Sequence, residues 1–408
     1  MHSLLRPTIG AFLLSTSLFV ESARADEAQP GPFLGGWRNV TVTRSNGTTF
    51  TATLYYPATA AAQNASFDAG GAPYPAISFG HGFLQPVFAY QGTLTHLATW
   101  GYFVIAAQSE GGLFPSHANF ASDLSFGLDW LELENANAGS PYHLAVDAQR
   151  FGMSGHSMGG GASVLATAAD PRVKALANLA AAETSPSAIA AMTNLSVPVS
   201  LISGSQDGIV PLAQHGLLMY AAARAPRLLP VIQGGWHCGF EDTPGLGGFG
   251  CDSGTLDRAT QLALTRRLLT TFFNLYLKGD QAAWPKVWGV PMATDPLVAT
   301  TYDPGSTLSP YAQRRAGSAG TTLDYLFTLT NTSNVPQSFT LFESGHTFPV
   351  QVVPGNTGPI APGQSIDLHV LVDVPPGPAG TIDRCTISAR SDLDHATRSF
   401  CRLGARRL

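Results

Sequence analysis

Charge is scarce in this chain: Asp, Glu, Lys and Arg make up only 12% of its 408 residues, and 22 basic against 27 acidic side chains leave a formal net charge of -5. No local run of Lys and Arg reads as a cationic stripe, which argues against a nucleic-acid partner. Long apolar runs are equally scarce. Beyond residue 25 none approaches the roughly 20 residues that a membrane-crossing helix needs, so no membrane span is expected. Cysteine is limited to four residues, Cys238, Cys251, Cys385 and Cys401, and neither near-neighbour pair has the short C-x-x-C spacing of a zinc site. A metal site is therefore not expected.

The apolar content that is present, 44% of the chain, suffices for a large core and for two domains. Residues 1–25 place Arg6 before an apolar run at 9–14, continue through Leu18, Phe19 and Val20, and end in Ala23-Arg24-Ala25. A basic start, a short apolar stretch and an A-x-A end are the marks of a secretory signal peptide, which implies a secreted or periplasmic protein. Four cysteines permit three pairings. The local ones, Cys238–Cys251 and Cys385–Cys401, are expected as disulfides, each worth roughly 3 kcal/mol in the loop-entropy description.

Two textures divide the remainder. Residues 40–44 and 50–56, joined by Asn46-Gly47, predict a β-hairpin. Strands at 74–79, 102–106, 173–179, 197–203 and 227–232, the last of its sheet, then alternate with helices ending near Trp100, spanning about 119–133, and spanning 255–277. Such alternation predicts a mainly parallel sheet with helices on both faces. Past Trp284-Pro285 the chain turns to short alternating runs, among them 322–329 and 365–372, punctuated by Gly, Pro, Ser and Thr. That predicts a small all-β, Ig-like sandwich. The expected division is a catalytic domain at 26–300 and a β-domain at 301–408, with Cys385–Cys401 stapling the last two strands.

The run Gly155-His156-Ser157-Met158-Gly159 is a G-x-S-x-G pattern between a strand-like stretch ending near Ser154 and a helix-like one at 162–169. A sharp strand-to-helix corner leaves no room for Cβ atoms, which the glycines satisfy, and it presents Ser157 at a helix N-terminus as a nucleophile. The amide of Met158 and the helix dipole then point at an oxyanion. Partners for Ser157 are expected on loops that follow strands. Gly204-Ser205-Gln206-Asp207-Gly208 supplies a carboxylate and Gly234-Gly235-Trp236-His237-Cys238 an imidazole. Glu183, after the preceding strand, is the rival acid and otherwise a candidate substrate contact.

With these residues in the order Ser157, Asp207, His237, the chain resembles the α/β-hydrolase superfamily over about residues 40–278, and within it the group of dienelactone hydrolases, chlorophyllases and cutinase-like polyesterases. His81-Gly82-Phe83 is similar to the family's oxyanion loop. The resemblance implies an α/β-hydrolase fold, a Ser157-His237-Asp207 triad that needs no metal or cofactor, oxyanion donors at Phe83 and Met158, and a Phe83 ring lining the acyl pocket. It implies a serine carboxylic ester hydrolase working through an acyl-enzyme. Cutinase-like enzymes carry a Ser-Pro-Gly-aromatic oxyanion loop and a tryptophan after the strand following the elbow; this chain has Gly80-His81-Gly82-Phe83 and Ala181-Ala182-Glu183-Thr184. Whether the ester is polymeric, small or of the chlorophyll type stays open at this level, as do a peptidase or thioesterase on the same triad, a binding protein whose hydrolase domain is vestigial and whose β-domain is the working part, and the oligomeric state. If Cys238 pairs with Cys251, the loop from Gly239 to Gly250, with Phe240 and Phe249, is expected either to shape the leaving-group side of the cleft or only to fix the His237 loop.

Overall fold

Asn46 and Gly47 make a turn in which Gly47 takes φ 83°, a backbone region that other residues enter at a cost. Strands β1 (Leu34–Thr43) and β2 (Thr49–Ala58) pair antiparallel on either side of it. The computed structural model describes residues 26–243, 248, 250–333, 335–393 and 397–408; the expected leader at 1–25 and Phe249 lie outside the described residues.

Strands β3 (Tyr74–Gly80), β4 (Phe103–Ala107), β5 (Val146–His156), β6 (Val173–Leu179), β7 (Val199–Gly204) and β8 (Arg227–Ile232) form the parallel centre of a nine-stranded sheet. Its order is β1-β2-β4-β3-β5-β6-β7-β8-β9. The ninth strand, β9 (Val298–Asp303), runs antiparallel along β8 and corrects the expectation that residues 227–232 end the sheet. Its Thr300, Thr301 and Tyr302 are strand formers, but a long helical segment separates them from β8 and hides the pairing in the sequence. β9 also runs across the expected division at residues 300 and 301.

Alternate side chains of the buried strands serve two cores. From β4, Phe103 and Ile105 join Leu124 and Leu128 of α2 (His117–Ala136) and Ala162 and Val164 of α3 (Met158–Ala169). On the other face Val104 and Ala106 join Leu94 and Leu97 of α1 (Gln91–Thr99) and Leu269 and Phe273 of a long helix at Arg258–Leu277. The period of two in the strands and the apolar stripes of the helices produce this layered packing. Local signals set the helix starts: Ser116 Oγ accepts the Asn119 amide at 3.2 Å, and Asp257 Oδ1 accepts the Thr260 amide at 2.9 Å.

The C-terminal strands form a β-sandwich. One sheet has β10 (Ser306–Ser309), β12 (Thr322–Asn331), β15 (Ser365–Asp373) and β14 (Val350–Val353), in that order. The other has β11 (Ala312–Gly317), β17 (Arg398–Arg407), β16 (Ile382–Ser391) and β13 (Phe339–Ser344). Tyr325, Phe327, Ile387 and Leu403 are among the residues packed between them. The expected Cys385–Cys401 disulfide is not formed, and both thiols are free and buried. The register explains this: Cys385 lies opposite Leu403 and Cys401 opposite Ile387, so the two cysteines share a face but are offset by two residues. Burial pushes the Cys385 thiol up to about 11 and the Cys401 thiol up to about 12, which keeps both protonated.

Candidate active site

Ser157 stands between β5 and α3 with φ 56° and ψ -121°, a strained conformation for a residue with a Cβ. The backbone around it holds that strain in place. Its amide donates to Leu179 O at 3.0 Å, and its carbonyl accepts from Gly161 and Ala182 at 3.1 and 2.9 Å. A Cβ on Gly159 would overlap the carbonyl group of Gly80, and one on Gly155 would overlap that of Gly159. The glycines of the corner thus let the first turn of α3 press directly on the end of β3. This contact brings the loop carrying Phe83 against the helix end that starts at Met158.

The oxyanion-loop candidate is fixed from below. His81 is buried against Phe120, its Nε2 2.9 Å from Ser109 O and its Nδ1 2.8 Å from Gly82 O, and burial lowers its pKa. The Gly82 amide donates to Tyr90 Oη at 3.0 Å, and Tyr90 Oη lies 2.8 Å from His156 Nδ1. His156 is fully buried, and burial followed by the charge of His237 pushes its pKa well below the ordinary imidazole range. A neutral His156 accepts the Tyr90 proton at Nδ1. The carboxylate of buried Glu241, 3.8 Å away, is then a polar neighbour and not an ion-pair partner. Phe83 itself is 45% exposed, so its ring faces solvent and is available to a ligand.

Asp207 and His237 come from the loops after β7 and β8. Nδ1 of His237 lies 2.8 Å from Asp207 Oδ2, with both residues buried. The second carboxylate oxygen of Asp207 accepts the amides of Ile209 and Val210 at 3.0 and 2.7 Å, which fixes the carboxylate plane and holds a proton on His237 Nδ1. On its other face the His237 ring lies 4.4 Å, centroid to centroid, from that of His156, the residue before Ser157. The structure therefore gathers Ser157, Asp207, His237, Phe83 and Met158 at the carboxyl edge of the parallel strands. Glu183 is tied elsewhere: its carboxylate accepts the Ile189 amide at 2.9 Å, at the start of α4 (Ala188–Met192), and its amide donates to His215 Nδ1 at 3.0 Å. Asp207, not Glu183, holds the imidazole.

No sequence motif marked Tyr90, Glu241 or Asp252, which the fold sets beside these residues. Asp252 is the most consequential. Its Oδ2 accepts the amides of Gly208 at 2.9 Å and His237 at 3.0 Å, while Oδ1 accepts that of Cys238 at 3.2 Å. One carboxylate thus bridges the two loops that carry Asp207 and His237. The Cys238–Cys251 disulfide, with Cα atoms 5.7 Å apart, delivers it there. The signal was present in the sequence, since an acid follows a cysteine expected to pair with the neighbour of His237.

A family model described as PETase, PET hydrolase-like, matches residues 22–243, more than half of the chain. No curated protein matches it. The matched segment contains the elbow, the Phe83 loop and both loops that carry Asp207 and His237. With its mostly parallel sheet and flanking helices, the chain belongs to the PET hydrolase-like family, in the polyesterase and cutinase-like group of the α/β-hydrolase superfamily.

Proposed function

We propose that the protein is an exported serine hydrolase that cleaves carboxylic esters through Ser157, His237 and Asp207, with polyesters as its substrate class. The observation that carries this reading is the 2.8 Å contact between Asp207 and His237 beside the strained elbow serine. A serine hydroxyl is a weak nucleophile until an imidazole takes its proton. With Nδ1–H engaged by Asp207, Nε2 of His237 is the free base, and Asp207 stabilises the imidazolium that results.

In the first step Ser157 Oγ attacks the ester carbonyl and its proton passes to His237 Nε2. The carbonyl oxygen becomes an oxyanion held by the amides of Phe83 and Met158, each worth roughly 3 kcal/mol in the transition state. Collapse breaks the bond to the leaving oxygen, which departs as an alcohol with the proton from His237. Water then attacks the acyl-enzyme with His237 as base, releasing a carboxylic acid and Ser157.

The polymer reading rests on the rim. Phe83, Leu113, Phe114 and Ile209 are 45%, 68%, 95% and 44% exposed on loops that follow β3, β4 and β7, at the edge where Ser157 lies. Exposed apolar side chains around a reacting serine suit a flat, apolar, insoluble substrate. Export is supported by the residues 1–25 and by the Cys238–Cys251 disulfide, a bond that persists in oxidising compartments. The test is a panel of p-nitrophenyl esters, a polyester film and an amide, run on wild type and Ser157→Ala. Loss of every ester activity in the variant is expected; retained hydrolysis refutes the nucleophile, and small-ester cleavage with no release from film refutes the polymer class.

A further inference from the structure

Arginines that stand on three different strands meet on the outer face of the β11-β17-β16 sheet. Register places three residues of each strand in a grid: Ala312, Arg402 and Thr386 abreast, then Arg314, Gly404 and Arg384, then Ala316, Arg406 and Ile382. Gly404 is the centre, with an arginine on each of its four sides. Strands lie about 4.8 Å apart and alternate residues about 6.8 Å apart along a strand, so four guanidinium stems rise within one short reach of a side-chain-free floor. All four arginines are exposed, and they line one open groove.

No acid answers them within the grid, whose corners are Ala312, Ala316, Thr386 and Ile382. Asp383, the neighbour of Arg384, points to the inner face, where it accepts the Thr347 and Phe348 amides at 2.8 and 3.0 Å. Among the described residues none of Arg314, Arg384, Arg402 and Arg406 forms an ion pair; Arg402 lies over the Tyr311 ring at 5.9 Å. Like charges gathered this closely in a chain of net charge -5 repel each other unless an anion joins them.

We propose that this arginine cradle binds a carboxylate-bearing polyester surface, the state that the substrate itself reaches under attack. The inference rests on the ester-hydrolase reading above. Each hydrolysed ester leaves one carboxylic acid, ionised at neutral pH, so a film becomes anionic as it is eroded. A protein with a net negative charge is repelled by such a surface. Guanidinium forks match carboxylates two bonds at a time, and four of them around an open floor accept several end groups at once. The β-domain thereby retains the enzyme where cutting has begun.

The test uses the full chain with Ser157→Ala, so that film is bound but not cut, on fresh polyester film, on film pretreated with alkali to expose carboxylates, and on alkali-treated film re-esterified with methanol. Binding several-fold greater on the carboxylated film, and weakened by salt, is expected. Replacing Arg314, Arg384, Arg402 and Arg406 with Gln lowers that binding about tenfold or more. Gly404→Glu offers a second route: a Cβ there meets Arg314 Cγ at an ordinary 3.5 Å, and the new carboxylate fills the cradle from within. It should abolish the preference for carboxylated film while the fold persists. Equal binding to all three films, or binding unchanged in both cradle variants, overturns the proposal. Cradle-dependent binding to duplex DNA that exceeds binding to the carboxylated film overturns the carboxylate partner in favour of a phosphate polymer. In the Ser157-containing enzyme the cradle variants keep wild-type kcat/KM on soluble esters. Should soluble esters not be cleaved at all, the hydrolase reading fails, and the film-binding result reports on the cradle separately.

Discussion

Replacing Asp252 with Ala removes the acceptor of three amides, those of Gly208, His237 and Cys238, at 2.9, 3.0 and 3.2 Å. Hydrogen bonds to charged acceptors contribute roughly 1.5–3 kcal/mol when buried, and these half-exposed ones about 1 kcal/mol each after solvent screening. The sum, about 3 kcal/mol, is lost from the arrangement that sets His237 against Asp207. At 1.4 kcal/mol per factor of ten, full repayment in the transition state lowers kcat about 100-fold. KM for a soluble ester should move far less, since Asp252 supports the base and not the acyl pocket. Asp252→Asn keeps one oxygen for Gly208 and His237 but turns an N–H toward Cys238, and about a tenfold loss is expected. The assay is steady-state hydrolysis of a p-nitrophenyl ester, with the serine titrated by a phosphonate to count competent sites and circular dichroism to confirm folding. A folded Asp252→Ala enzyme with kcat within about twofold of wild type refutes the bridge as a positioning device.

Opening the Cys238–Cys251 disulfide with paired Ser substitutions frees a loop of sequence separation 13 and should cost about 3 kcal/mol in stability; because Asp252 follows Cys251, it should lower kcat as well, whereas an unchanged kcat confines the bond to stability. Gly159→Ala drives a methyl group into the Gly80 carbonyl, so loss of soluble protein or a destabilisation above about 4 kcal/mol by denaturant titration is expected, and a variant as stable as wild type refutes the close contact. His96, buried with Nε2 2.9 Å from Glu27 O, has its pKa lowered to about 4, first by burial and then by the charge of Arg266. The unfolded chain takes up this proton near pH 6.5 and the folded one only near 4, so stability present above pH 6.5 is lost as pH falls toward 4, by about 3 kcal/mol. His96→Gln should flatten that part of the stability profile, and an unchanged slope refutes the assignment.

The legible parts of this protein are those governed by short-range physics. Asn46-Gly47 announces its hairpin because a two-strand turn needs positive φ, and residues 173–179 and 227–232 read as strands because buried β-segments are short and largely apolar. The elbow is legible for the same reason: only glycines on both sides of Ser157 permit a strand to become a helix in one residue. From those corners the order Ser157, Asp207, His237 follows. What stayed hidden depends on pairing between distant segments. β9 joins β8 across 65 residues, and nothing local in residues 298–303 names that partner.

Register was the quantity that the sequence by itself left undecided. Its letters determined that Cys385 and Cys401 sit in alternating strands; the ladder decided that each faces an aliphatic residue instead of the other. Its letters placed an acid after Cys251; the folded chain decided that this acid bridges the loops that carry Asp207 and His237. The arginines are the clearest case. Scattered at 314, 384, 402 and 406, they are no cluster along the chain, and one strand shifted by a single residue would turn its arginines to the inner face. Composition limits how much charge a chain holds, but strand pairing decides where that charge is concentrated.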